Sequence, residues 1–410
     1  MKNKNIHLLL IFLGTIFYFV ANFQRIAIPG AVFDLLEQAL NVTAPYITAM
    51  GAIFMYIYAL GQLIIGVLVD RYGGFKVMLA GGIILTLGCI LFPITTILPI
   101  MYISRAFIGL GASCFYLSMI KELKNIISDK NFGLAISVML FIGYCGGIVA
   151  NAPFVAAMKY MSWRSILLII GIITLVTLLV FVFVLNKIQL PAPDKHVKLR
   201  MLPFRLVLHK KHNRNLFNFA CCNFGISYVI QTVIGKKFLE DFCNYPVKKA
   251  AIVLSMMAVI GAIFNIVNAT TCKICRNKRV LFLKVASVIT FLCLLSITLL
   301  IYFDIRNILI SVVFCIIAAN ASLTSLLVPV LHLTNRKMVS GTAVSIMNFC
   351  FFMMVGILGT LTGFVLHVFE PTRIGDTLVY NPKSYLLLFF LFLCLSIFEM
   401  YKAMKMSNKY

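Results

Sequence analysis

About twelve long apolar runs, each near the ~20 residues a helix needs to cross a bilayer, leave this chain few folds to adopt. They lie near 7–33, 44–69, 77–97, 99–121, 131–158, 163–186, 215–238, 249–272, 280–303, 307–332, 339–368 and 383–406. Composition agrees with a chain that lives in lipid: 62% of residues are hydrophobic, 12% are charged, and the mean hydropathy is +1.02, far from an ordinary soluble domain. An even number of spans puts both termini on one side. The first run is too long for a cleavable signal and reads as a retained signal anchor.

The net charge of +24 raises the question of nucleic acid, and the placement of the basic residues answers it. Along this division about 25 Lys and Arg fall on the side of the termini, about 9 on the other, and two, Arg25 and Arg105, lie inside spans. Cytoplasmic loops carry such an excess, so both termini are expected in the cytoplasm of a cell with the protein in its inner membrane. The largest share, Lys187, Lys195, Lys198, Arg200, Arg205, Lys210, Lys211 and Arg214, sits in the middle loop, where topology and anionic headgroups explain it. The 12 cysteines lie mostly within spans and suggest no disulfide framework. Cys272 and Cys275 form a C-x-x-C, but no second pair or neighbouring His completes a metal site, so no metal or cofactor is expected.

The basic segment with Pro191, Pro193 and Pro203 splits the chain nearly in half. The expected organisation is an N-terminal six-helix bundle (1–187), a cytoplasmic basic linker (188–214) and a C-terminal six-helix bundle (215–410). After the second run comes Gly66-Val67-Leu68-Val69-Asp70-Arg71-Tyr72-Gly73-Gly74-Phe75-Lys76. Here Gly66 is expected to let two helices approach closely, and Gly73 and Gly74 to reverse the chain. About two hundred residues later Cys272 to Arg279 forms a second charged loop, without the acid or the glycine pair. Three further motifs are Arg105-Ala106-Phe107-Ile108-Gly109-Leu110-Gly111-Ala112, then Gly143 to Gly147 followed by Asn151-Ala152-Pro153, and Ser162-Trp163-Arg164.

The first loop resembles the loop between helices 2 and 3 of the major facilitator superfamily, and the later motifs resemble that family's fourth, fifth and sixth helices. The resemblance implies an all-α membrane protein of twelve transmembrane helices in two pseudo-symmetric bundles, working by alternating access. In that family helices 1, 4, 7 and 10 surround the solute path. The stretch from Tyr18 through Arg25 and Pro29 to Leu35 is most similar to a bacterial subgroup that includes phagosomal nutrient transporters, which implies uptake of an amino acid or another carboxylate.

Tyr18, Asn22, Arg25 and Pro29 recur at helical spacing and share one face of the first helix. Arg25 keeps its charge and offers a forked donor suited to a carboxylate or phosphate. The alternative is an arginine that snorkels to the outer interface and pairs with Asp34 or Glu37. The expected solute-binding set is Tyr18, Asn22, Arg25, Tyr116, Asn223, Gln231, Asn320 and Thr324, although each polar residue could instead join two helices. Asp70, Arg71, Arg105 and Lys121 form the gating and coupling set. In it, Asp70 faces a helix N-terminus and pairs with Lys121, while Arg105 either influences coupling or caps carbonyls.

No deeply buried carboxylate is expected; Asp34, Glu37 and Glu399 come closest to spans. The six His form no H-E-x-x-H or nucleophile constellation, so an enzyme is not expected. The function read from the chain is a secondary or facilitative importer, such as a symporter, of a small polar or anionic solute. Efflux of amphipathic compounds and a receptor on a carrier scaffold are the alternatives. The expected partners are that solute, a coupling ion such as the proton, and membrane lipids, with no nucleic acid and the chain a monomer.

Overall fold

The computed structural model describes residues 2–188, 202–274, 278–375 and 377–406. Its elements in chain order begin with α1 (Lys2–Ala27), a 3-10 turn (Gly30–Val32), α2 (Phe33–Leu40), α3 (Ala44–Tyr72), α4 (Gly74–Ile94), α5 (Leu98–Ser113) and α6 (Phe115–Ile126). Next come α7 (Asp129–Val149), α8 (Ala152–Ala157), α9 (Trp163–Leu185), α10 (Leu202–His209), α11 (Lys211–Val229), a π-helical turn (Ile230–Ile234) and α12 (Gly235–Asp241). The chain continues through α13 (Val247–Ile274), α14 (Arg279–Tyr302), α15 (Leu309–Ala321), α16 (Thr324–Thr334) and α17 (Lys337–Leu366), then a hairpin of β1 (Thr372–Ile374) and β2 (Thr377–Val379), and α18 (Pro382–Met404).

Among the described residues, eleven helical segments are long and apolar enough to span a membrane, and a further apolar segment, Ala135–Val149, is shorter. Large apolar side chains such as Phe141, Phe183 and Ile266 are exposed on these helices, as lipid-facing positions require. Cys275 and Arg276 of the second charged loop, and Lys195, Lys198 and Arg200 of the middle loop, lie outside the described residues.

Two compact units result. One comprises residues 1–28 and 53–199, the other residues 29–52 and 200–410. The first apolar run does not continue to residue 33 as one helix. Pro29 has no amide hydrogen to extend the ladder of α1, so the chain breaks there and Asp34 and Glu37 fall on the separate α2. Segment 29–52 thereby packs with the second unit.

In the first unit α4 packs on α5 and α9, and α1 on α7. The last contact explains the glycine-rich motif: a Cβ on Gly143 would stand 2.1 Å from the Tyr18 ring, and one on Gly146 would stand 2.1 Å from the Phe19 carbonyl oxygen. Only Gly73 separates α3 from α4, at φ 86°, a value that side-chain-bearing residues rarely adopt. Gly66 does not act as expected. Its nearest neighbour for an added Cβ is Leu117 at 3.9 Å, an ordinary contact, because the neighbouring helix is met there by a long side chain rather than by backbone. In the second unit α14 packs on α18, α11 on α17, and α13 on α15.

Candidate functional site

The expected face of α1 exists in the first unit. Tyr18, Asn22 and Arg25 are buried, and Arg25 is only 4% exposed, so it does not snorkel to an interface. Asn22 donates to the Tyr18 carbonyl at 2.8 Å and accepts from Arg25 Nη1 at 3.4 Å, an arrangement that orients the guanidinium. The guanidinium carbon lies 4.4 Å from the Tyr58 ring centroid and 5.6 Å from that of Phe54, within the range at which an aromatic face attracts a cation. Tyr116 stacks on Tyr18 with centroids 6.4 Å apart. The result is a cluster of one buried guanidinium and three phenols, those of Tyr18, Tyr58 and Tyr116.

Asp34 and Glu37 are engaged elsewhere. Asp34 pairs with Lys236 and Lys237, and Glu37 accepts from the Tyr380 hydroxyl. They are therefore not the partners that the snorkelling alternative supplied for Arg25.

Arg105, fully buried, takes the carbonyl-capping arrangement. It donates to the Gln24 carbonyl at 3.0 Å and to the Ile28 carbonyl at 3.2 Å, two acceptors at the end of α1 whose helical partners are missing because the helix stops there. Its guanidinium lies 4.9 Å from the Phe54 centroid, so Phe54 sits between Arg25 and Arg105. Arg164 of the Trp-Arg motif does the same for α4, donating to the Pro93 and Thr95 carbonyls at 2.9 and 2.8 Å.

At the α3–α4 turn, Lys121 Nζ stands 3.2 Å from Asp70 Oδ1 and donates to the Val69 carbonyl at 2.8 Å. The pair is largely exposed, and Arg71 is exposed beside it. The carboxylate at the N-terminus of α4 is not Asp70 but Glu122, which accepts from the Gly74 amide at 2.6 Å. Glu122 reaches that amide because a Cβ on Gly74, had it one, would collide with Ser118 and Glu122 on α6.

The second unit distributes its candidates differently. Asn223 donates to Thr290 at 2.9 Å and to Glu399 at 3.0 Å, while Asn320 donates to Thr290 and to the Ala286 carbonyl, both at 2.8 Å. Four helices, α11, α14, α15 and α18, are thus joined by one polar network, and both expected solute contacts are committed to it. Gln231, half-buried, falls in the π-helical turn, a distortion that often marks functional sites. Thr324 is exposed at the start of α16, after the chain breaks at Ser322 and Leu323. The expectation that no carboxylate is deeply buried is overturned by Glu399, which is fully buried on α18. In sequence it lies near the end of the last apolar run, as a helix-end acid would, and only the packing of α18 against α11 and α14 encloses it.

A larger cluster went unread. Lys236 and Lys237 of α12 meet Asp34 and also, one turn on, Glu240 and Asp241, at 3.0 to 3.7 Å for all but Lys237 and Asp34, which stand 2.5 Å apart. Tyr385 donates to Asp241 at 2.7 Å, the Tyr380 amide donates to the same carboxylate at 2.9 Å, and Lys237 donates to the Leu378 carbonyl. Burial alone would raise Asp34, but the Lys237 and Lys236 ammoniums and the bond from Lys237 outweigh it and hold this carboxyl below its usual value. The available signal was the pairing of Lys236-Lys237 with Glu240-Asp241 at i,i+4.

The profile described as Major Facilitator Superfamily matches residues 11–360. The chain belongs to that family. It is a multi-pass membrane transporter of all-α fold and not an enzyme. One curated relative, a probable sulfoacetate transporter of Cupriavidus necator called SauU, is 21% identical over 179 residues, 44% of this chain and 40% of that protein. The matched part thus spans less than half the length of this relative. A bacterial homologue of the human lysosomal transporter Spinster, solved inward-facing and unoccupied, superposes with a TM-score of 0.72 at 13% identity over 98% of this chain and 96% of its own. A mutant of the nucleoside transporter NupG gives 0.74 at 15% identity, covering 97% and 99%. At these identities the solved structures establish the shared fold.

Proposed function

We propose that this facilitator carries a small anionic solute, a carboxylate or sulfonate, into the cell by alternating access, with Arg25 as the group that recognises its charge. The observation that carries the reading is the setting of Arg25: a guanidinium 4% exposed, held by Asn22 and faced by Tyr58. A guanidinium matches the two oxygens of a carboxylate with parallel bonds. Tyr18 and, stacked on it, Tyr116 add phenolic hydroxyls in the same unit. The likeness to a probable sulfoacetate transporter over part of the chain favours a small anion.

In this reading the chain works as a monomer in the inner membrane with both termini in the cytoplasm, its bundles divided at the basic segment 188–214. The Asp70 and Lys121 pair is a gate contact that exists in one of two global states, and it biases the carrier by the difference in its energy between them. Purified protein in proteoliposomes tests the solute class. Preloaded vesicles should exchange radiolabelled sulfoacetate or a short carboxylate, and unlabelled anions should compete where neutral amides of the same shape do not. Equal competition by the neutral amides would overturn the anionic reading.

A further inference from the structure

Four carboxylates and two ammoniums share the cluster built on α2, α12, the β hairpin and α18: Asp34, Glu37, Glu240 and Asp241 against Lys236 and Lys237. Fully ionised, the group would hold two uncompensated negative charges, and burial makes such an excess costly. Three of the carboxylates have a lysine within ion-pair distance. Among the described residues Glu37 is the one that has none: its Oε1 accepts from the Tyr380 hydroxyl, whose oxygen in turn accepts from the Ala44 amide at 3.0 Å, and its Oε2 is buried with no hydrogen-bond partner. The residue as a whole is 4% exposed.

We propose that Glu37 is a proton-binding site, and that the proton it carries holds α2 against α12 and the hairpin. The groups that face it are Asp34 on its own helix, Lys237 and Asp241 on α12, and Tyr380 after β2. Lys236, Glu240 and Tyr385 stand one contact further out. A proton on Oε2 leaves Oε1 free to keep its bond from Tyr380 and removes one of the two excess charges. Loss of that proton places a third ionised carboxylate among the groups nearest Glu37, beside the single ammonium of Lys237. Since α2 follows directly on the helix that carries Arg25, occupancy of Glu37 by a proton sets how firmly the segment after α1 is held.

The pH window follows from the direction of the effect. Burial, opposed by the Tyr380 bond and by Lys237, pushes Glu37 up to about 7 from the ordinary 4.5. A group raised on folding favours the native state below its unfolded value, and that advantage is lost as pH rises through its folded value. The test is the thermal midpoint of the full-length protein in detergent, followed from about pH 5 to about pH 9. The parent should lose stability progressively as pH rises from about 5 to about 7, a step that ends near neutrality and leaves a flat profile above it. Glu37→Gln, which reproduces the neutral acid, should shrink the step by the share of Glu37 and leave only what Glu240, which burial also pushes up to about 7, contributes. Should Glu37→Gln fail to fold, Tyr380→Phe gives the second reading: without the hydroxyl that favours the ionised form, the step should move to higher pH. An unchanged step in either variant would overturn the proposal, as would its disappearance in Glu240→Gln with Glu37 intact.

Discussion

Replacing Lys237 by methionine removes one ammonium from two carboxylates at once. Its Nζ lies 2.5 Å from Asp34 and 3.0 Å from Asp241, and its side chain is 3% exposed. Removing one member of a buried pair leaves the other charge uncompensated and costs about 3 to 5 kcal/mol. Lys121→Met is the matched control. That lysine also faces an aspartate, at 3.2 Å, but the two side chains are 30% and 66% exposed, and exposed pairs contribute about 0 to 1 kcal/mol. The buried thiols of Cys89, Cys114, Cys221, Cys222 and Cys243 provide the assay: a thiol-reactive fluorophore reports their exposure as the purified protein is heated. Lys237→Met should lower the midpoint several times more than Lys121→Met does. Equal shifts would refute the argument that burial, rather than the mere presence of an ion pair, decides the energetics here.

Other consequences are independent of that cluster. Gly146→Ala should destabilise by about 1 to 3 kcal/mol because its Cβ meets the Phe19 carbonyl and the backbone must move, whereas Gly66→Ala, with nothing nearer than 3.9 Å, should be neutral or stabilising in the same thermal assay. Glu399→Gln should keep the network through its remaining carbonyl oxygen, while Glu399→Ala leaves the Asn223 amide without one acceptor and should cost about 1 to 3 kcal/mol. Asp70→Asn should impair flux at equal expression far more than it lowers the amount of inserted protein. Cysteines placed near Thr43, Asn244 and Asn381 should be labelled from outside intact cells, and those near positions 195 and 276 only after permeabilisation; the reverse at any loop would redraw the topology.

The apolar runs made the membrane fold legible, since a bilayer leaves the chain little choice but helices of that length. The turn at Gly73 and the close glycines of the Arg105 and Gly143 motifs were legible for a similar reason: few residues fit where backbones nearly touch. Polar partners were harder to read. Asn223 and Asn320 are spaced as solute contacts would be, yet Thr290, on a helix far away in sequence, engages both. Glu399 looked like a helix-end acid because nothing local reveals which neighbours enclose it. Lys236 and Lys237 carried only the local signal of Glu240 and Asp241 one turn on, because Asp34 reaches them only after Pro29 breaks the first helix. Local chemistry named the elements, and long-range packing decided what each polar group touches.

The central claim, that Arg25 recognises an anionic solute, is tested most directly by measuring the affinity of purified protein for the anion that exchanges in proteoliposomes, in the parent, in Arg25→Lys and in Arg25→Gln. Charge-assisted bonds contribute about 1.5 to 3 kcal/mol, so Arg25→Gln should weaken binding about ten- to a hundred-fold. Arg25→Lys, which keeps the charge but not the fork, should fall between it and the parent. Unchanged affinity in a normally folded Arg25→Gln would contradict the account and leave Arg25 as a packing residue of the first unit.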